Sequence, residues 1–337
     1  MRITAYLFLI SLCINYGFAA VDANADPDGA TADPSFYDVP APGRMVDLGG
    51  YKLHINCQGS GSPTVILDAG IGDWSTHWLA VQNLIKTDTR VCSYDRAGYG
   101  WSEPGPRPRD STRIVDDLHS LLDKAQIDPP YILVGHSFGG LNMRLFASTY
   151  PAEVVGLVLV DASHPASLPY QRNADGSVPS TGMPGNQLMA IQPTDDEDLK
   201  FPPEAQAAIH DDLLHTKSLV TARAEFRSMG FSVQELQKAP PLGHLPLIVL
   251  TRGKQAWPHN PDGDAKEKMW QDEQSELVKL SDHSSQVIAI NSGHHIQLDE
   301  PEVVAKAIRD LTFMTRSQQA SSSVHASSKG SNFDQTP

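Results

Sequence analysis

Residues 131–146 read "YILVGHSFGGLNMRLF". Four largely apolar residues run into Gly-His-Ser-Phe-Gly, and residues that favour a helix follow. A buried strand, a sharp turn carrying a serine and then a helix form the setting in which Gly-x-Ser-x-Gly holds a nucleophile. Gly135 and Gly139 flank Ser137 because side chains would collide in so tight a bend. Gly140 adds room. The helix that follows turns its N-terminal amides toward the bend, where they favour developing negative charge. A bare Gly-x-Ser-x-Gly also occurs by chance, and such a serine can do no more than cap a helix. The rest of the chain decides between these readings.

Short apolar runs recur on both sides of this stretch: "TVILD" (64–68), "RVCSYD" (90–95), "VVGLVLVD" (154–161), "LPLIVLT" (245–251) and "SQVIAI" (285–290). With "YILVG" (131–135) they read as strands buried on both faces, as in a parallel sheet. Helical patterns lie between them. Ile114, Leu118, Leu121, Leu122 and Ala125 recur at helical spacing, with Asp110 or Ser111 placed to cap the start. Val303, Val304, Ala307, Ile308 and Leu311 do the same after Pro301, a residue tolerated in a first turn. Earlier, "GRMVDLGGYKLHINCQG" (43–59) sets two alternating runs about a Gly-Gly turn, a hairpin signal. A hairpin followed by alternating strands and helices means an α/β fold. The rhythm breaks over residues 164–243, which are rich in Pro and Gly before the helical stretch "PEAQAAIHDDLLHTKSLVTARAEFRSMG". This region reads as an inserted helical lid.

The chain has 337 residues and starts "MRITAYLFLISLCINYGFAA". A short positive start, an apolar run and then small residues are the layout of a secretory signal peptide over residues 1–20, with cleavage as late as residue 25. The run is short for a membrane span, which needs about 20 residues. A buried helix or an uncleaved anchor is the alternative. The expectation is a secreted or periplasmic protein with no stable membrane anchor after cleavage. Residues 21–43, rich in Ala, Asp and Pro, read as a linker, and residues 44–316 suit one large domain. Residues 317–337 are polar and Ser-rich and read as a disordered tail. A formal net charge of −14 argues against a nucleic-acid partner, whose phosphates would be repelled. The dispersed acidic residues suit a solvated surface. Oligomeric state is not legible.

A serine hydroxyl needs a base. Of thirteen histidines, His294 in "AINSGHHIQLDEP" (289–301) follows the last buried run directly. A loop there returns to the end of the sheet that carries Ser137. His295 reads as a partly buried neighbour, and His136 should point away from the serine.

With "SYDRAGYGWSEPGP" (93–106), "LVGHSFGG" (133–140) and "SGHHIQLDEP" (292–301), residues 44–314 resemble the α/β-hydrolase superfamily. The resemblance implies an eight-stranded, mostly parallel sheet flanked by helices, a lid after the sixth strand and a site beneath it. It implies neither cofactor nor metal. The oxyanion hole should use the backbone N–H of Phe138 and one from the loop "LDAGIGDW" (67–74). Matching Ala69-Gly70 to the His-Gly of many relatives makes Ile71 that second donor. The acid departs from the common pattern. Many relatives carry Gly-x-x-Asp after the seventh strand, whereas this chain has Gly253, Lys254, Gln255 and Ala256. The superfamily's other location is the end of the sixth strand, where "GLVLVDASHP" (156–165) offers Asp161. Asp161 is the leading candidate, although an Asp there can be a simple strand-end hydrogen bonder. Asp262 and Asp264 are the alternatives. In this fold the second and fourth strands are antiparallel neighbours, which would bring Cys57 and Cys92 within bonding range. Two buried thiols are the other reading.

The resemblance implies a serine hydrolase that cleaves small carboxylic esters through an acyl-enzyme. An aminopeptidase or amidase would need an acidic anchor, which "TDDED" (194–198) would supply. A non-catalytic binding protein of this fold is the third reading, although such proteins often lose a member of the triad. Similar folds that act on epoxides or haloalkanes use an Asp nucleophile in place of the serine. Trp74, His77, Trp78, Tyr99, Trp101 and Phe138 would give the pocket an aromatic wall, with ordinary packing as the alternative for Trp78 and Trp101. An apolar stripe at Ala205, Ala208, Ile209, Leu213 and Leu219 would cover it. These features imply soluble short- or medium-chain, or aromatic, esters as substrates.

Overall fold

The computed structural model describes residues 40–166, 201–202, 205, 216–258 and 260–330. The segments read as signal peptide, most of the linker, much of the insertion (including 194–198) and residues 331–337 lie outside the described residues.

Strands β1 (Arg44–Asp47) and β2 (Lys52–Gln58) form the hairpin. Gly49 and Gly50 turn it with φ of 97° and 126°, a region open to glycine and strained for other residues. The remaining strands are β3 (Thr64–Asp68), β4 (Val91–Tyr94), β5 (Tyr131–His136), β6 (Val154–Val160), β7 (Leu247–Arg252) and β8 (Ser284–Ala289). They make one eight-stranded sheet in the order β1-β2-β4-β3-β5-β6-β7-β8. The hairpin and its β2–β4 junction are antiparallel, and every other pairing is parallel. Cys57 and Cys92 are register partners across β2–β4 and form a disulfide.

Alternation along the central strands sends side chains to two cores. Ile66, Leu133, Leu157, Leu159 and Val249 face α2 (Ser111–Lys124) and α3 (Phe138–Thr149), where Leu118, Leu121, Leu141 and Phe146 meet them. Val65, Leu67, Ile132, Val134, Val158, Val160 and Leu250 face the other way. There they pack on Val81 and Ile85 of α1 (Leu79–Ile85) and on Val304, Ile308 and Leu311 of α7 (Pro301–Gly330). The period of two thus feeds both layers of helices, as a parallel sheet requires. Asp110 caps α2 by accepting from the Arg113 amide at 2.9 Å. The helices α4 (Thr216–Lys238), α5 (Gly263–Val278) and α6 (Ile296–Asp299) complete the labelled set. None of the described helices is long and apolar enough to cross a membrane.

Three expectations need correction. β8 is not buried on both faces, since Val287 and Ile288 are exposed. It is the last strand of the sheet and has only β7 beside it. The disordered tail does not begin at 317, because α7 continues to Gly330. Residues 317–329 contain no Pro or Gly, and an established helix extends at one hydrogen bond per added residue. The apolar stripe fails at Leu219, which is 70% exposed, while Ala208, Ile209 and Leu213 lie outside the described residues. The inward face of α4 is instead largely polar, with Ser218, Thr221, Glu225, Ser228 and Ser232 all buried beside Met229, Val233 and Leu236.

Candidate active site

β5 passes into α3 through Ser137, whose φ of 52° and ψ of −118° are strained for a residue with a side chain. Such conformations cost about 1–3 kcal/mol and persist only where the surroundings enforce them. Here they do. A Cβ on Gly139 would lie 2.5 Å from the Asp68 carbonyl oxygen, and one on Gly135 would lie 2.4 Å from that of Gly139. The Ser137 amide donates to the Val160 carbonyl at 3.2 Å, and the Ser137 carbonyl accepts from the amides of Gly140 and Ser163, both at 3.0 Å. The Ser137 hydroxyl makes no cap bond to its helix.

Asp161 follows β6 with φ of 40° and is fully buried. Its Oδ2 lies 2.6 Å from His294 Nδ1. The same oxygen accepts from Arg252 Nη1 at 2.7 Å, and Oδ1 accepts from the Trp270 indole N–H at 2.8 Å and the Arg252 amide at 3.2 Å. Burial pushes this carboxyl up, but the His294 hydrogen bond and the Arg252 charge outweigh burial and hold its pKa down at about 2. Because β5, β6, β7 and β8 are parallel neighbours, Ser137, Asp161 and His294 all leave the carboxyl end of the sheet. Asp262 and Asp264 are placed elsewhere. Asp262 caps α5 by position and pairs with Lys266 at 3.2 Å, while Asp264 accepts from Gln255 Nε2 at 2.7 Å.

Sequence reasoning missed the buried arginine that fastens the loop after β3. Arg96 donates to the carbonyls of Ala69 (2.6 Å) and Gly70 (2.7 Å) and pairs with Asp68 at 2.8 Å. It also forks onto Glu225 of α4, with bonds of 2.8 and 2.9 Å. Tyr99 donates to Glu225 at 2.9 Å and accepts from the Gly72 amide at 3.2 Å. In a trans peptide C=O and N–H point opposite ways. With the Gly70 carbonyl turned to Arg96, the Ile71 N–H therefore points away from it. A buried charge must be paired, so an arginine in the Gly-rich turn 93–106 beside a buried strand was the available signal. Its partner, 129 residues away, left none.

Asp73, on the same loop, is ringed by imidazoles. Its Oδ2 lies 3.2 Å from His136 Nδ1 and 3.3 Å from His295 Nε2, and its Oδ1 lies 3.2 Å from His77 Nε2. His136 does turn from the serine, and its Nε2 reaches the His294 carbonyl at 3.0 Å. His295 is buried rather than partly buried. Of the six aromatic positions, Trp74 and Tyr99 cluster with Phe201, Ala205 and Leu298, and Trp101 packs against them. Trp78 and Phe138 belong instead to the sheet cores.

Residues 59–307 match the model of the alpha/beta hydrolase family. YqjL of Bacillus subtilis (strain 168), itself described as uncharacterized, is 31% identical over 255 residues, spanning 75% of this chain and 85% of its own. A thermophilic esterase from Thermogutta terrifontis superposes with a TM-score of 0.59 at 23% identity, covering 79% of this chain and 94% of the esterase. The Cif epoxide hydrolase from Acinetobacter nosocomialis gives 0.60 at 19% identity, covering 80% and 88%. At such identities these two structures speak for the fold alone. With a family model that spans most of its length, the chain belongs to the alpha/beta hydrolase family and is a hydrolase.

Proposed function

We propose that this hydrolase cleaves carboxylic esters through an acyl-enzyme, with Ser137 as nucleophile, His294 as base and Asp161 as the orienting acid. The observation that carries the reading is the 2.6 Å contact of His294 Nδ1 with buried Asp161, at the sheet end where the strained Ser137 turn stands. Asp161 holds His294 in the tautomer that leaves Nε2 free to accept a proton. Ser137 Oγ bonds to the ester carbonyl carbon as its proton passes to Nε2. The carbonyl oxygen becomes an oxyanion, held by the N–H groups of Phe138 and Ile71, each such donor contributing about 3–4 kcal/mol. The tetrahedral species collapses, the C–O bond to the alcohol breaks, and the alcohol takes the proton from His294. Water then attacks the acyl carbon, again with His294 as base, and Ser137 is restored.

A serine at the elbow favours this reading over epoxide or haloalkane chemistry, in which similar folds use an Asp. The polar inward face of α4, whose Ala222 packs against the Trp74, Tyr99 and Phe201 cluster, favours soluble short- or medium-chain or aromatic esters over emulsified triglycerides. The Cys57–Cys92 disulfide favours an oxidising compartment and hence export. The test is labelling by a fluorophosphonate probe together with hydrolysis of a p-nitrophenyl ester series. Both are expected in the wild type and lost in Ser137→Ala. Equal labelling of the two proteins would remove Ser137 from the mechanism.

A further inference from the structure

We propose that Asp73, His136 and His295 form a binding site for one divalent transition-metal ion of the zinc type, which cross-links the loop after β3, the end of β5 and the loop after β8 beside the candidate active site. His136 Nε2 faces the His294 carbonyl at 3.0 Å, and a carbonyl only accepts, so Nε2 carries the proton. The neutral ring then presents a bare lone pair at Nδ1. That atom is buried, makes no well-aligned hydrogen bond and faces Asp73 Oδ2 at 3.2 Å. Two acceptors thus meet inside the protein, and a cation shared between them resolves the contact.

Two of the three spacings suit such an ion directly. Tetrahedral zinc with bonds of about 2.0–2.2 Å sets neighbouring ligand atoms about 3.3–3.6 Å apart. Asp73 Oδ2 lies 3.2 Å from His136 Nδ1 and 3.3 Å from His295 Nε2, and all three ligand atoms lie within 4.8 Å of one another. Gly70 leaves the space free, since a Cβ there would stand 2.9 Å from Asp73 Oδ2 and 3.0 Å from His136 Nδ1. The supporting bonds are also those of a metal centre. A ligating histidine commonly donates its other N–H to a carbonyl, and a ligating carboxylate is itself held. His136 has the His294 carbonyl for the first, and Asp73 has His77 at 3.2 Å for the second. Two imidazoles and one carboxylate select zinc and its neighbours over magnesium or calcium, which take oxygen ligands. The ligands sit at 73, 136 and 295, with no local spacing for a sequence motif to show.

The site has a structural consequence. Asp73 lies on the loop that carries Ile71, His136 directly precedes Ser137, and His295 directly follows His294. One ion would tie all three together. It stands apart from the ester-cleavage reading, because binding is read without turnover.

The experiment uses the untagged protein, stripped by chelator and titrated with zinc chloride and with cobalt(II) chloride. One equivalent is expected, with the visible absorption of tetrahedral cobalt and two paramagnetically shifted imidazole N–H signals. Zinc should raise the thermal midpoint and chelator should lower it again. Asp73→Asn and His295→Gln should weaken binding at least about 100-fold, while His244→Ala, at an exposed surface histidine, leaves it unchanged. Ser137→Ala should bind metal normally even though it loses esterase activity, so the two proposals fail separately. Should the ligand variants not fold, the wild-type cobalt spectrum and imidazole signals decide. Octahedral cobalt without shifted imidazole signals, the absence of stoichiometric binding, or an Asp73→Asn protein that binds as well as wild type would overturn the proposal.

Discussion

Arg252 and Asp161 form a buried ion pair at 2.7 Å, and the oxygen they share is the one that His294 contacts at 2.6 Å. Arg252 is itself balanced by Glu267 at 3.0 Å and lies over the Trp257 and Trp270 rings at 4.9 and 4.5 Å. It approaches Asp161 from within the protein as a positioning residue. Arg252→Met should therefore lower kcat far more than it raises KM. Loss of one partner of a buried pair also costs about 3–5 kcal/mol of stability. Arg252→Lys keeps the charge but lacks the fork that reaches Asp161 and Glu267 together, so it should fall between. Steady-state kinetics with urea unfolding checks this, and a KM effect alone would contradict it.

Asp161→Asn should reduce kcat about 10⁴-fold, because an amide favours the wrong imidazole tautomer. Asp262→Asn and Asp264→Asn should stay near wild type, since these side chains serve the start of α5. The opposite ranking would move the acid to the loop after β7.

Acid stability should also report on Asp161. Its folded-state pKa of about 2 lies below the ordinary 3.8, so folding favours the ionised form. That stabilisation is complete above about pH 4 and is lost as pH falls through 2. The shift corresponds to about 2 kcal/mol. The stability gap between wild type and Asp161→Asn should narrow by about that much over this window, measured by urea unfolding at successive pH values. A constant gap would mean that Asp161 is not held ionised by folding.

Glu225→Gln should disturb the loop after β3 from a distance. Arg96 would lose a buried counter-charge while still holding the Ala69 and Gly70 carbonyls. A loss of about 3–5 kcal/mol in unfolding free energy is expected, with a fall in kcat in the protein that remains folded. Unchanged kcat would show that α4 does not support this loop.

The disulfide closes a separation of 35 residues, for which chain entropy gives about 4 kcal/mol. Cys57→Ser with Cys92→Ser should lose stability of that order, and intact-mass analysis of the unreduced protein after alkylation should find the pair unlabelled. Two alkylated thiols would count against the bond.

Periodic features were legible in the sequence and long-range polar ones were not. Each of the six apolar runs is a strand, because alternation of residues such as Ile132, Leu133 and Val134 is local information. The contact of His294 with Asp161 followed from chain order within the resembled family. Arg96–Glu225, Arg252–Asp161 and the contacts of His136 and His295 with Asp73 join residues tens to hundreds of positions apart. Ion pairing has no period, so nothing near Glu225 announces that it is buried. For the same reason the apolar stripe drawn as far as Leu219 does not extend into α4, whose inward face answers the polar groups beneath it. The exposure of β8 depends on which strands stand beside it, which its own residues do not record.

That underside of α4 sets how firmly the helix is held. A Cβ on Gly98 would stand 2.0 Å from Thr221 Oγ1, so the helix lies almost against the backbone of the turn after β4. Lys217 also donates to the Gly100 and Ser102 carbonyls at 2.5 and 3.2 Å. A cover that peels away at an oil surface exchanges one greasy contact for another and loses little. Lifting α4 would strip Arg96 of Glu225 and uncover a row of serines instead. Held through Glu225 and Lys217, the helix behaves as masonry rather than as a door.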